Sequence, residues 1–240
     1  MCTVTLIPLR NNDFVLTSNR DESPNRVALP PDFYKYNNRQ LLYPRDEQSK
    51  GSWIAVSDNK RLICLLNGGF ENHSRKLKYR LSRGVVVKEL LVTDDIERAI
   101  TVYDFDDIEP FTMVVVEWQT NLKFYELVWD GNFRHFKRLP LNARIWSSST
   151  LYDINMRTER EFWFDRFIKD KDLNAEIMFQ FHSETEIKNK DFGVIMDRGF
   201  VKTTSITSVR KIDERLEMHY KDLFENTNHL KTIATPLNCI

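Results

Sequence analysis

The sequence predicts an α+β fold in which antiparallel sheets are covered by helices, and three observations carry the prediction. Strand-like pairs joined by short polar turns lie towards both ends of the chain, helical runs fall between them, and no stretch rich in Pro, Gly or Ser marks a boundary. A doubly wound parallel sheet would instead alternate single strands with helices. Strands at both ends favour one domain, residues 1–240, whose termini meet in the same sheets.

The elements follow in order. Residues 3–9 and 14–18 are β-rich runs separated by Arg10-Asn11-Asn12-Asp13, a hairpin turn because Asn tolerates left-handed backbone. Residues 53–57 and 61–67 form a second pair around Asp58-Asn59-Lys60. Residues 82–92 carry apolar side chains at helical spacing, and Asp94-Asp95-Ile96-Glu97 reads as a capping box opening another helix. Strand character returns at 111–118 and 122–129, with Asn121 at the turn, and Asp130-Gly131 leads to a further short strand. After a short strand at 144–148, residues 155–168 are helical in pattern, with Phe162, Trp163, Phe167 and Ile168 on an apolar stripe. A helix over 173–181 and strands over 203–209 and 215–220 complete the reading.

Composition excludes several function classes. The 240 residues hold 35 basic and 35 acidic side chains, so no global charge draws the chain to nucleic acid or an anionic membrane. No apolar run approaches the roughly 18 residues of a membrane-spanning helix. The first ten residues lack the basic lead and apolar stretch of a signal peptide. Cys2, Cys64 and Cys239 have no paired spacing and read as free thiols in a reducing compartment, hence a cytoplasmic protein. The five histidines show no His-x-x-x-His spacing, so no metal site and no cofactor are expected. Cys64 lies inside an apolar strand and reads as a buried hydrophobe.

The chemistry concentrates at the N-terminus. If the first hairpin turns at Asn11-Asn12, facing residues have numbers that sum to 23, which sets Cys2 opposite Asp21 and Thr3 opposite Arg20. A thiol, a carboxylate and a guanidinium then meet at one end of the hairpin, provided the register holds. Cys is a small residue of the kind that permits removal of the initiator Met, and the new terminus would carry thiol and α-amine on one residue. With a pKa of roughly 7.7–8.0 the amine accepts the thiol proton near neutrality. Arg20 would favour the thiolate and Asp21 would orient the ammonium. Read from the residues alone, an ordinary cysteine at position 2 and a solvated turn at Asn19-Arg20-Asp21-Glu22 come ahead of this chemistry.

Met1-Cys2-Thr3 followed by Leu16-Thr17-Ser18-Asn19-Arg20-Asp21-Glu22 resembles the start of the NRDE family, named for its Asn-Arg-Asp-Glu motif, which includes the transport and Golgi organisation proteins. The resemblance continues through Gly51-Ser52-Trp53-Ile54-Ala55-Val56 and Leu65-Leu66-Asn67-Gly68-Gly69. Such proteins are similar to N-terminal-nucleophile hydrolases of the bile-salt and penicillin amidase kind. The resemblance implies a four-layer αββα sandwich and cleavage of a non-peptide C–N amide bond through a thioester.

Carried over residue by residue, it gives Cys2 as nucleophile, Arg20 and Asp21 flanking it, and Asn67 as an oxyanion-hole donor; Asn67-Gly68-Gly69 equally reads as a tight turn. The relatives space the Arg and Asp three apart, whereas here they are adjacent, so Asn19 or Glu22 takes one of those roles in an alternative reading. Two positions depart from the pattern. Ser149 stands where a second asparagine is expected, and Thr203-Thr204-Ser205-Ile206-Thr207 where another arginine is expected. The departures favour a second reading, a non-catalytic binding or trafficking protein for a small-molecule ligand, haem or an acyl compound. Oligomeric state is not legible, and neither reading involves nucleic acid or stable membrane insertion.

Overall fold

Alternation of hydroxyl and apolar side chains from Thr3 to Leu6, followed by Ile7, makes a strand that buries both faces, β1 (Thr3–Pro8), paired with β2 (Phe14–Glu22). The structure, a computed structural model, describes residues 3–234; Cys2, the candidate nucleophile, lies outside the described residues. Contacts divide the chain into two units. Residues 26–140 and 148–154 form the first, and the other described residues form the second.

In the first unit seven strands run as an antiparallel meander: β3 (Ala28–Tyr36), β4 (Arg39–Asp46), β5 (Ile54–Ser57), β6 (Arg61–Asn67), β7 (Phe111–Glu117), β8 (Lys123–Trp129) and β9 (Arg134–Leu139). The helices α1 (Arg83–Leu91) and α2 (Ile96–Val102) set Val86, Leu90, Ile96 and Ile100 against Ile63, Met113, Val115 and Tyr125. Burying one such aliphatic side chain contributes about 1.5–3 kcal/mol. The N-cap of α2 is Asp95, which accepts from the Arg98 amide at 3.0 Å. The expected box began one residue earlier; Glu97 instead accepts the Tyr125 hydroxyl at 2.7 Å. The β3–β4 hairpin was not expected from sequence. Pro30 and Pro31 mask β3, and it tolerates them because it is an edge strand with irregular pairing between Leu29 and Asp32.

The second unit is a six-stranded antiparallel sheet in the order β10 (Arg144–Ser147), β1, β2, β11 (Lys202–Ile212), β12 (Arg215–Asp222), β13 (Thr227–Ala234). Strands from both ends of the chain therefore share one sheet. The helices α3 (Ile154–Ile168) and α4 (Ala175–Glu184) set Trp163, Phe164, Met178 and Phe181 on Ile7 and Val15. The expected stripe on α3 needs correction: Phe162 is 60% exposed and Phe164 takes its place in the core. Each unit is thus an antiparallel sheet carrying a pair of helices, and the α+β class expected from sequence is the one observed.

The hairpin register also needs correction. Asn11 and Asn12 both have positive φ, and the Asp13 amide donates to the Arg10 carbonyl, as a two-residue turn requires. However, the Leu9 amide also donates to the Asp13 carbonyl, at 2.8 Å, so Leu9 and Arg10 together oppose Asp13. This bulge moves every later pair by one residue: Thr3 faces Asn19 and Val4 faces Ser18. The facing numbers sum to 22, not 23, and the thiol–carboxylate pairing expected from the turn alone is not the observed register.

Candidate active site

Adjacent residues on a strand point to opposite faces, so Arg20 and Asp21 diverge at the end of β2. Both are buried. Asp21 shares the face of Thr3 and Asn19, and accepts the Thr203 hydroxyl at 2.6 Å. Arg20 shares the face of Val4 and Ser18, and donates to the Thr204 hydroxyl at 3.2 Å. Thr204 is the extra residue where β11 slips register against β2, and its hydroxyl also donates to the Arg20 carbonyl at 3.0 Å. The hydroxyl run that departs from the family pattern therefore holds Arg20 and Asp21 in place. On the Arg20 face, Ser18 and Thr207 oppose each other in register, and neither buried hydroxyl has a hydrogen-bond partner among the described residues. Tyr220 lies near; burial pushes its hydroxyl pKa up while Arg20 pulls the other way.

Asn19 is fully buried and spends its amide on the helical layer. Its Nδ2 donates to the carbonyls of His182 at 3.0 Å and Val194 at 2.7 Å, and its Oδ1 lies 2.8 Å from His182 Nδ1. That arrangement assigns the proton to Nδ1, leaving Nε2 to accept the Thr5 hydroxyl at 2.8 Å. Burial, helped by the Arg160 cation, pushes the His182 pKa down to about 3, so the ring is neutral at ordinary pH. Glu22 accepts the Ser23 amide at 2.9 Å.

The first unit brings Asn67 and Ser149 to one place. Gly68 has φ +85°, and a Cβ there would lie 2.2 Å from Ser149 Oγ, so only glycine lets the end of β6 approach residue 149 so closely. Ser148 Oγ donates to the Asn67 carbonyl at 2.7 Å, and Ser149 Oγ donates to the Glu71 carbonyl at 3.1 Å. The Gly68 amide is engaged by the Pro110 carbonyl at 3.0 Å. The half-buried Asn67 side-chain amide has no hydrogen-bond partner among the described residues.

Sequence reading missed Arg160. The signal was present, because Arg160 shares the helical spacing of Trp163, Phe164 and Phe167, but an arginine on an amphipathic helix ordinarily reads as surface. Among the described residues no three His, Cys, Asp or Glu side chains gather in a way that could hold a metal ion. No helix of the described residues is long and apolar enough to cross a membrane.

A family model described as Transport and Golgi organisation 2 matches residues 1–227. The chain belongs to that family. Its strand-borne Asn-Arg-Asp-Glu run at the end of β2 is thereby set in a family, as the sequence resemblance implied. No curated protein matches this family member. Among solved structures it is similar to the N-acylethanolamine-hydrolyzing acid amidase ortholog of Caenorhabditis elegans, at 9% identity and TM-score 0.61, over 86% of this chain and 92% of that one. It is also similar to penicillin V acylase from Agrobacterium tumefaciens, at 11% identity and TM-score 0.57, over 99% and 87%. The C2A mutant of conjugated bile acid hydrolase from Clostridium perfringens matches at 11% identity and TM-score 0.50, over 97% and 96%. At these identities the likeness concerns the fold, which is of the N-terminal-nucleophile hydrolase type.

Proposed function

We propose that this family member is an amidohydrolase that uses Cys2 as an N-terminal nucleophile on a small non-peptide amide. One observation carries the reading: a buried guanidinium and a buried carboxylate, Arg20 and Asp21, sit at the end of the strand that pairs with β1, and β1 begins one residue after Cys2. Two buried hydroxyls without partners on the Arg20 face, Ser18 and Thr207, add support. Each such group costs about 1–3 kcal/mol unless something polar meets it.

In the proposed reaction the α-amine of Cys2, freed by loss of Met1, takes the thiol proton while Sγ bonds to the amide carbonyl carbon. Charge passes to the carbonyl oxygen, and the Asn67 amide is proposed as a donor to it. The α-ammonium returns the proton to the leaving nitrogen as the C–N bond breaks, which leaves a thioester. Water then adds with the amine as base, and the C–S bond breaks to give the carboxylic acid and the free thiol. Arg20 favours the thiolate and Asp21 orients the ammonium. Cys64 is buried and in no disulfide, which fits a reducing compartment, and we place the protein in the cytoplasm on that basis.

Intact mass is the first test. Protein purified from cells is expected to lack Met1, to release product in a burst with an amide substrate, and to lose turnover in Cys2→Ala. Turnover that survives Cys2→Ala removes the mechanism. Retention of Met1 removes the α-amine base and transfers the reading to a non-catalytic small-molecule binding protein on the same fold.

A further inference from the structure

Arg160, on α3, is fully buried. Its Nη1 donates to the Thr3 hydroxyl at 2.5 Å and, at 3.4 Å, to the Ser147 hydroxyl. Its Nε donates to the Phe192 carbonyl at 2.9 Å and its Nη2 to the Gly193 carbonyl at 2.6 Å. Gly193 is required there, because a Cβ would lie 2.2 Å from the Glu186 carbonyl oxygen, so the loop is packed to present its carbonyls to the guanidinium. Removing a guanidinium from water is costly, and an apolar side chain of similar volume would fill the same space at far less cost. The cation is tied to Thr3, the residue that follows Cys2, and to Ser147 on β10, which faces Thr3 in register. Other ionisable groups around this end of the sheet include Arg20, Asp21 and Glu22 on β2, Lys202 on β11, and the neutral His182 on α4, which is hydrogen-bonded to Thr5 and Asn19.

We propose that Arg160 is a positioning residue for the reactive end of β1: through Thr3 it fixes the start of the strand, and its charge favours the ionised Cys2 thiol. The proposal rests on reading Cys2 as the nucleophile. Neither Thr3 nor Ser147 needs to touch a substrate for it to hold.

Alkylation of Cys2 by iodoacetamide, followed from pH 5 to 10 and assigned by peptide mass against Cys64 and Cys239, provides the test. Arg160→Gln is expected to raise the midpoint by about one pH unit, which slows alkylation about tenfold at neutral pH. Arg160→Lys keeps the charge and is expected to restore the rate to within about threefold of the native protein. Thr3→Val keeps shape and charge, removes the tie, and is expected to slow alkylation several-fold. A folded Arg160→Gln protein with the native rate and midpoint overturns the proposal. If that variant does not fold, a Thr3→Val protein with the native profile overturns it instead. The readout needs no turnover, so a shifted midpoint without amidase activity upholds Arg160 and removes the reaction. An unshifted midpoint with Cys2-dependent turnover does the reverse.

Discussion

Each unit buries one arginine completely, and the two are held in different ways. In the first, Arg61 makes an ion pair with Glu117, with Nη2 to Oε1 at 2.6 Å and Nε to Oε1 at 2.9 Å. Its Nη1 also donates to the carbonyls of Leu90 at 2.9 Å and Thr93 at 2.6 Å, so the same side chain satisfies carbonyls left open at the end of α1. In the second, the described hydrogen bonds of Arg160 go to hydroxyls and carbonyls around the start of β1. Arg61 answers a need of the fold itself, a helix end and a neighbouring carboxylate. Arg160 is hydrogen-bonded to Thr3 at the start of β1, next to the proposed nucleophile.

The comparison breaks most sharply at Glu117. Glu117→Gln removes the carboxylate that pairs with the buried Arg61 cation and is expected to cost about 3–5 kcal/mol in urea denaturation. A loss below about 1 kcal/mol would mean that the carbonyls at the end of α1 suffice, and the contrast with Arg160 would vanish.

A pH change sharpens the description of the second unit. The His182 pKa is depressed in the folded protein, from 6.5 to about 3. Below pH 6.5 the unfolded chain binds a proton that the folded one refuses, so stability is fully present above that value and declines as pH falls towards 3. Between pH 7 and pH 5 this residue alone is expected to remove about 2 kcal/mol. Comparing denaturation at the two pH values in the native protein and in His182→Gln checks it, and an unchanged difference in the variant would refute the assignment.

The smallest expected effect on stability is at Asn67. Its side-chain amide holds nothing among the described residues, so Asn67→Ala is expected to change stability by no more than about 0.5 kcal/mol. If it donates to the oxyanion, turnover of a substrate that the native protein hydrolyses falls about 100-fold. Equal turnover in the variant would remove that role.

Much of the fold was legible because local signals agreed with the final packing. Asn11 and Asn12 mark the first turn, Ser82 and Asp95 stand at helix starts, and strand pairs at both ends of the chain announce a shared sheet. The β3–β4 hairpin escaped notice because its prolines are harmless only at an edge, and being an edge strand is a property of the whole sheet. Of the candidate site, the sequence itself determined residue identities and nearness along the chain: Cys2 before β1, Arg20 and Asp21 together on one run, and Asn67 ahead of two glycines. Tertiary structure alone decided which faces those side chains occupy. A single bulge at Leu9 and Arg10 moved the register by one, and with a side-chain period of two that sends Arg20 and Asp21 to the faces opposite those expected. It also decided that Thr203 and Thr204 hold the pair and that Arg160 reaches Thr3 across 157 positions of sequence. Hydroxyl and guanidinium contacts of that kind arise from how strands and helices pack, and no local pattern in the chain encodes them.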